Sequence, residues 1–291
     1  MGGDTTASTD SGLYCGAQTV STINPEEDRM GYSISVLHRR RVIALLIFSV
    51  SVGAALAQNV EGGNQQLQTF KEGLASHGLT DFSAPSLIAA LSHSDPQVRT
   101  MAAMKLAEDH PGEAAPAIES ALSREQDLNA QIGLSQALWA LHDDHGIAHL
   151  HAMCKDSSLS FTTLISVVDA LGLTHSPVGI CAETFFTAMG RSKESGEIAM
   201  GESRLAIIYC DSTPEQARRI LITLRQYLAD RKQEAQIRLE ASQALADIGT
   251  PECAAAIREA ISQEQNPDCR MFFAATLKGL ERNPHRCGGN R

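Results

Sequence analysis

Apolar residues recur every three or four positions from residue 84 to residue 282, and Pro, Gly, Asp or Asn interrupts them at short intervals. This spacing is typical of amphipathic helices. No segment alternates β-branched and polar residues as a half-buried strand would. The hydrophobic pattern therefore predicts an all-α protein built from short helices.

One pattern of residues recurs along these helices. Arg, small residues and Leu follow one another in VRTMAAMKL from residue 98, in IRLEASQAL from residue 237 and in CRMFFAATL from residue 269. Weaker matches begin at residues 130 and 163. The starting positions 98, 130 and 163 are 32 or 33 residues apart, and positions 237 and 269 are 32 residues apart. The interval between 163 and 237 leaves room for one more unit. A fixed period of this length is typical of stacked repeats.

Each unit contains two helical segments, and a single hairpin cannot bury its apolar face alone. The chain is therefore predicted to be all-α, a right-handed α-solenoid of about six helical hairpins. The predicted helix pairs are 84–93 with 96–109, 113–124 with 127–142, 146–155 with 159–173, 177–190 with 196–210, 214–231 with 234–248, and 251–264 with 268–281.

Outside the repeat array of residues 84–282, the sequence predicts an export signal. Basic residues 38–41 precede the uncharged apolar stretch 42–56 and an Ala-Leu-Ala cleavage motif, and the stretch is shorter than the ~20 residues of a membrane span. We expect an exported protein, periplasmic or extracellular, without stable membrane insertion after signal cleavage. The predicted segments are a disordered leader or start-site artefact at 1–29, a signal peptide at 30–57, a capping helix (64–76) with a linker at 58–83, and a tail at 283–291.

The charge of the chain limits the classes of partner that we expect it to bind. The formal net charge is -10, and it becomes -9 after the first 57 residues, which contain five acids and four bases, are removed. An acidic chain without a basic block gains little from counterion release. We therefore expect a protein or peptide ligand and no nucleic acid.

The segments VRTMAAMKLA, IRLEASQALADIG and CRMFFAATL resemble the second helix of HEAT-like repeats of the phycobilisome-lyase type. This resemblance implies a solenoid, and it implies that the acid before the second helix and the Arg within it form ladders between adjacent units. Asp95 with Arg99, Glu234 with Arg238 and Asp268 with Arg270 match that pattern. The HEAT-repeat hydroxylases that bind two irons carry His-Glu pairs, which this sequence lacks, and pigment attachment is a cytoplasmic task that does not fit an exported chain.

Polar residues on the predicted second helices are candidates for a binding wall, because stacked hairpins form extended surfaces that bind protein segments. Their mixture of neutral and charged side chains favours a protein ligand. The candidate binding residues are Gln97, Thr100, Lys105, Gln131, Gln136, Glu240, Gln243 and Asp247.

A second group of candidates lies between the second and third hairpins. In LHDDHGIAHLH, His145 and His149 are four residues apart, and His142 and Asp144 complete a set that suits zinc, iron or nickel. The alternative is a solvated polar turn. The sequence contains no G-x-S-x-G, no glycine-rich phosphate loop and no H-E-x-x-H, so we expect neither an enzyme nor a bound cofactor.

Six cysteines follow residue 57, an even number that permits disulfides in an exported protein. In an antiparallel hairpin, the start of the first helix lies beside the end of the second. This geometry predicts the pairs Cys181–Cys210 and Cys253–Cys287, with Cys154 and Cys269 left as thiols or paired between chains.

Three functions remain open from the sequence. The first is a non-catalytic protein-interaction scaffold in the cell envelope or periplasm. The second is a metal-binding protein or metalloenzyme centred on the histidine cluster. The third is a structural module of an envelope assembly, in which the repeats self-associate.

Overall fold

The computed structural model describes residues 70–282, and within this range the chain is all-helical, without a strand. A helical segment at 70–76 precedes the array. The α-helices that follow are α1 (Ala84–Ala90), α2 (Pro96–Asp109), α3 (Pro111–Leu122), α4 (Leu128–Ala140), α5 (Asp144–Cys154), α6 (Phe161–Leu173), α7 (Ala182–Met189), α8 (Ser195–Tyr209), α9 (Pro214–Ala229), α10 (Ala235–Ile248), α11 (Pro251–Gln263) and α12 (Pro267–Arg282).

These helices form six consecutive hairpins, which confirms the predicted α-solenoid. Each second helix packs on the second helix of the next hairpin, so that α2, α4, α6, α8, α10 and α12 make a continuous layer. The first helices lie against this layer and contact one another less. The predicted signal peptide, leader and tail lie outside the described residues.

The helix ends follow from residues that are visible in the sequence. Asp95 caps α2 by accepting a hydrogen bond from the Gln97 N–H, and Thr250 caps α11 through the Cys253 N–H. Thr213 and Gln216 form a reciprocal capping box at α9. In all three helices a Pro occupies the first turn, where its missing N–H leaves no intrahelical bond unmade.

The fourth hairpin departs most from the predicted pattern. The predicted helix 177–190 is a 3-10 turn at Gly179–Cys181 followed by the short α7. Gly179 lies against the carbonyl oxygen of Asp211, where a Cβ would approach to 2.2 Å. Only a residue without a side chain fits this contact, so the turn is held against the end of α8.

Two apolar clusters fill the interior of the described chain. One runs from Phe70 to Leu138, and the other runs from Ile132 to Leu280. Helix α4 contributes to both, because Leu134 faces the first cluster and Ile132 faces the second. In the part of the chain that is described, no helix is both long enough and apolar enough to cross a membrane.

The repeat arginines are structural, but their partners differ from those implied by the family resemblance. Arg99 forms a two-pronged ion pair with Glu125, at 2.6 and 2.7 Å, and Arg238 pairs with Glu264. In both pairs the Glu lies 26 residues after the Arg, in the loop of the following hairpin. The arginines therefore form pairs between adjacent units, but Asp95, the acid matched to the pattern, caps its own helix instead.

Glu234 and Arg238 are not a pair either. The Glu234 carboxylate accepts a hydrogen bond from the Ser195 hydroxyl at 2.7 Å, while Arg238 reaches forward to Glu264. Asp95 therefore bonds to the backbone of its own helix, and Glu234 bonds to the preceding hairpin. The arginines join successive hairpins.

Candidate functional site

Three of the eight predicted binding residues are buried, which corrects their assignment to an exposed wall. Thr100 is packed so closely on α4 that a Cβ at Gly133 would meet its methyl carbon at 2.4 Å. Lys105 is only 2% exposed, and its ammonium donates to Glu108 and Asp109 at 3.1 and 2.8 Å. Gln136 is also buried. These positions lie where neighbouring second helices touch.

Two further candidates, Gln97 and Gln131, differ in their exposure and in their partners. Gln97 is exposed in the first turn of α2. Gln131 is half-buried, and its amide donates to the carbonyl oxygen of Glu125 and lies 3.1 Å from His149 Nε2. The Gln131 side chain therefore serves packing between α4 and α5.

The last three candidates, Glu240, Gln243 and Asp247, lie together on α10 and are partly exposed. The Gln243 amide donates to Asp247 Oδ1 at 3.1 Å. On the neighbouring α8, Arg204 binds both carboxylate oxygens of Asp169 on α6, at 2.9 and 2.6 Å. We call these five residues the α6–α10 polar face.

Electrostatics couple the members of this face. Burial raises the pKa of Glu240, the Arg204 charge opposes that rise, and the Asp247 charge adds to it. The five residues of the face thus include three carboxylates and one guanidinium, which is bound to Asp169 and also acts on Glu240. The face carries excess negative potential, which favours a cationic ligand.

A fourth acid lies beneath the face and was not among the sequence candidates. Glu202 on α8 is fully buried, and neither carboxylate oxygen has a hydrogen-bond partner among the described residues. Burial, reinforced by the charge of Glu240, raises its pKa to about 9. Burial and the Glu202 charge also raise the pKa of Tyr227. The sequence signal for Glu202 is a Glu within the apolar stripe that contains Ala199, Leu205 and Ala206.

A candidate metal group lies at the junction of the second and third hairpins. Glu119 on α3, Asp143 at the N-cap of α5 and His145 bring one ligand atom each within 4.8 Å of the others. His145 Nδ1 is 2.8 Å from Asp143 Oδ1 and 3.1 Å from Glu119 Oε1. Both acids raise the pKa of His145 through a hydrogen bond and through their charge, and the hydrogen bond to Asp143 is the largest cause.

Only His145 among the predicted metal ligands belongs to this group. His142 and Asp144 are exposed outside it. His149 is half-buried beside Gln131, and burial lowers its pKa. The sequence could not identify Glu119, because it belongs to the preceding hairpin and has no local spacing to the histidines.

The disulfide pattern also differs from the prediction. Cys154 at the end of α5 is bonded to Cys181 in the 3-10 turn, with a Cα–Cα distance of 4.7 Å. The predicted Cys181–Cys210 pair is therefore wrong, and so is the prediction that Cys154 remains a thiol. The reason is that the loop after α6 returns the chain to the end of α5, so the bond joins successive hairpins.

The second predicted disulfide is also wrong. Cys253 is a free, buried thiol, beside the hydroxyl of Thr250 at 3.1 Å. Its predicted partner, Cys287, lies outside the described residues. Burial is the first cause that raises the pKa of Cys253, so this thiol favours its neutral form.

Comparison with known proteins gives limited information. No protein-family model matches the chain, and no curated protein sequence matches it. The solved structure of human deoxyhypusine hydroxylase in complex with glycerol is similar at a TM-score of 0.35 and 16% identity, over 83% of this chain and 99% of that chain. Neither the HEAT family nor the phycobilisome-lyase type is confirmed by these comparisons.

The expectation that the chain is not an enzyme is corrected. That expectation rested on missing motifs, yet Glu119, Asp143 and His145 form a candidate metal group that no sequence motif predicts.

Proposed function

We propose that this chain is a protein-interaction scaffold of the cell envelope or periplasm, and that its α6–α10 polar face binds a basic segment of a partner protein. The observation that carries the proposal is the surplus of carboxylates on this face. Arg204 is already bound by both oxygens of Asp169, and Glu240 and Asp247 lie nearby. A Lys or Arg side chain from a partner would balance this charge.

The structure of the face suits an extended ligand. Its residues come from α6, α8 and α10, which are successive members of the second-helix layer. A segment that lies across the layer therefore meets a new helix about every 10 Å. Binding across several helices is the usual way in which stacked hairpins recognise partners.

The disulfide supports the proposed compartment. Intrachain disulfides persist in oxidising environments such as the periplasm, and Cys154–Cys181 joins two hairpins in the middle of the array. The apolar stretch 42–56 with its preceding basic residues supplies the export signal in this proposal.

The test is fluorescence anisotropy of labelled peptides with the purified mature protein, residues 58–291. A flexible peptide with Lys and Arg at every second or third position should bind at low salt, and a peptide with Glu at those positions should not. The combined substitutions Glu240→Gln and Asp247→Asn should weaken binding about tenfold, which is the loss of ~1.4 kcal/mol expected for charge-assisted contacts.

Glu215→Gln is the matched control, because it removes an exposed carboxylate from the first helix α9. Its affinity for the basic peptide should be unchanged. Equal losses in the control and in the variant of the polar face would show that only the net charge matters, and the proposal would fail.

A second candidate function is divalent metal binding by Glu119, Asp143 and His145. Two carboxylates and one imidazole are ligand types that Zn²⁺ accepts, and they already converge within 4.8 Å. A metal ion bound here would displace the proton on His145 Nδ1, which lies between His145 and the two acids. Acid should therefore release the metal.

Tag-free protein titrated with Zn²⁺ in a calorimeter tests this candidate. We expect one equivalent to bind at pH 7.5, binding to weaken as pH falls and His145 keeps its proton, and Asp143→Asn with His145→Ala to abolish it. His151→Gln, outside the group and bonded to the Pro177 carbonyl, should leave it unchanged. Absence of Zn²⁺ binding by the parent protein would eliminate this function.

A further inference from the structure

Helix α12 ends the described array with one face buried and the other open. Cys269, Phe273 and Leu280 are buried, and the helix packs on α10 and α11. On the other side Met271 is 65% exposed and Phe272 is 37% exposed. A terminal hairpin usually presents a polar outer face to water, so two large apolar side chains at this position indicate a contact surface.

Seven of the exposed residues of α12 are arranged symmetrically about Ala275, while Arg270, Ala274 and Glu281 are exposed outside this arrangement. Phe272 and Lys278 lie three positions before and after it, Met271 and Gly279 lie four positions away, and Asp268 and Arg282 lie seven positions away. Separations of three, four and seven residues keep all of them on one side of a helix. We call these seven residues the α12 outer face.

Every pair in this arrangement is chemically complementary. A Cβ at Gly279 would meet nothing within 4 Å, so a Met side chain can lie over this position. Lys against Phe permits a cation–π contact, and Asp against Arg permits a charge-assisted hydrogen bond. Such pairs meet only if two copies of α12 run antiparallel with the two Ala275 residues at the crossing.

We propose that the occupant of the α12 outer face is a second copy of this chain, bound around a two-fold axis that passes near Ala275. A two-fold interface uses the same surface on both subunits, which is the symmetry that the residue order shows. Antiparallel helices also bring the positive end of each helix dipole beside the negative end of the other. The small residues Ala275 and Gly279 let the two helices approach closely.

The contact is small, so the dimer should be weak. Helix α12 spans 16 residues, or about 24 Å, and one helix pair buries less than the ~1,200–2,000 Å² of a standard interface. We expect a monomer–dimer equilibrium with a dissociation constant on the order of 10 µM.

Sedimentation equilibrium of the full mature chain from about 1 to 200 µM, a span centred on that constant, tests the proposal. We expect dimers that Met271→Glu weakens at least tenfold. The control is Ile222→Glu on α9, which changes a 44% exposed apolar residue away from this face and should leave the equilibrium unchanged. A monomer at every concentration would overturn the proposal, and so would a dimer that survives Met271→Glu.

Charge reversal tests the antiparallel register. Asp268→Arg alone and Arg282→Asp alone should each weaken the dimer, because like charges then face each other across the axis. The combined variant should regain most of the parent affinity. If it does not, the register is wrong even where a dimer exists.

Hydroxyl-radical oxidation would detect a different occupant of the α12 outer face. A monomeric chain in which Met271 is protected from hydroxyl-radical oxidation would indicate that residues 283–291 of the same chain cover the face. That result would also overturn the proposal of a second copy. The proposed peptide site on α6, α8 and α10 does not depend on either outcome.

Discussion

Glu202 is an acidic residue in an apolar interior, where its carboxylate has no hydrogen-bond partner among the described residues. An ionised carboxylate without a partner in an apolar interior costs several kcal/mol, so the group remains protonated instead. Its pKa of about 9 in the fold lies above the value near 4.5 expected when the chain is unfolded. Folding therefore requires Glu202 to take up a proton at neutral pH.

We predict that Glu202→Gln stabilises the protein at pH 7 by up to about 3 kcal/mol, because each unit between pH 4.5 and pH 7 costs ~1.4 kcal/mol. The sign follows from a raised pKa in an acid: stability is greatest below pH 4.5 and falls as the pH rises towards 9. Urea unfolding at pH 5, 7 and 8.5 measures the free energy of unfolding, and the advantage of Glu202→Gln over the parent protein should grow with pH. Glu113→Gln, an exposed position on α3, should show no such growth.

The sequence predicted the partly exposed polar residues of α10, but it could not show which of the other candidate binding residues are buried. Glu240, Gln243 and Asp247 were predicted to share a face, and they do. Lys105 looks like a surface residue in the sequence but is buried. Burial acts to lower its pKa, and the hydrogen bonds that its ammonium donates to Asp109 and Glu108 outweigh this effect and raise the pKa. Helical spacing fixes the direction of a side chain, whereas its exposure depends on the neighbouring helix.

Between elements, ion pairs hold successive hairpins together. Arg99 and Arg238 occupy equivalent positions in α2 and α10, and each binds a Glu in the next interhelical loop. Each Glu also accepts backbone N–H groups of its own loop, Asp127 for Glu125 and Asn266 for Glu264. One side chain therefore shapes the loop and joins it to the preceding hairpin.

We predict that Arg238→Met destabilises the protein by about 3–5 kcal/mol, because it leaves the buried Glu264 carboxylate without its cation. Adding Glu264→Gln should recover part of this loss. The control is Arg258→Met, which breaks a pair with Glu281 whose side chains are 55% and 50% exposed and should cost less than ~1 kcal/mol. Similar losses in free energy of unfolding at both sites would contradict the structural role of Arg238.

The same pair gives a pH dependence opposite to that of Glu202. Burial acts to raise the pKa of Glu264, but hydrogen bonds from the Asn266 N–H and Arg238 outweigh it and lower the pKa. The stability that this carboxylate contributes is therefore present above pH 4.5 and is lost as the pH falls through its lowered pKa.

At the scale of the whole molecule, the number of hairpins could be predicted because Pro, Asp and Thr mark helix starts in most units and the interval from 163 to 237 leaves room for one more. The order of contacts between second helices also follows from the repeat. The disulfide could not be predicted in this way, because the repeat rule assumes that every unit folds like its neighbours. The fourth hairpin breaks that rule at Gly179, and this irregular turn brings Cys181 to Cys154.

The bond between Cys154 and Cys181 also bears on how this array could change in length over generations. Repeat proteins gain and lose whole hairpins, and most of the array tolerates such changes because each unit contacts only its neighbours. A unit inserted between these two cysteines would separate them, and a unit deleted there would remove one and orphan the other. Duplication and loss of hairpins should therefore be confined to the parts of the array outside residues 154–181, so that the array can lengthen in either direction from the segment that the disulfide closes.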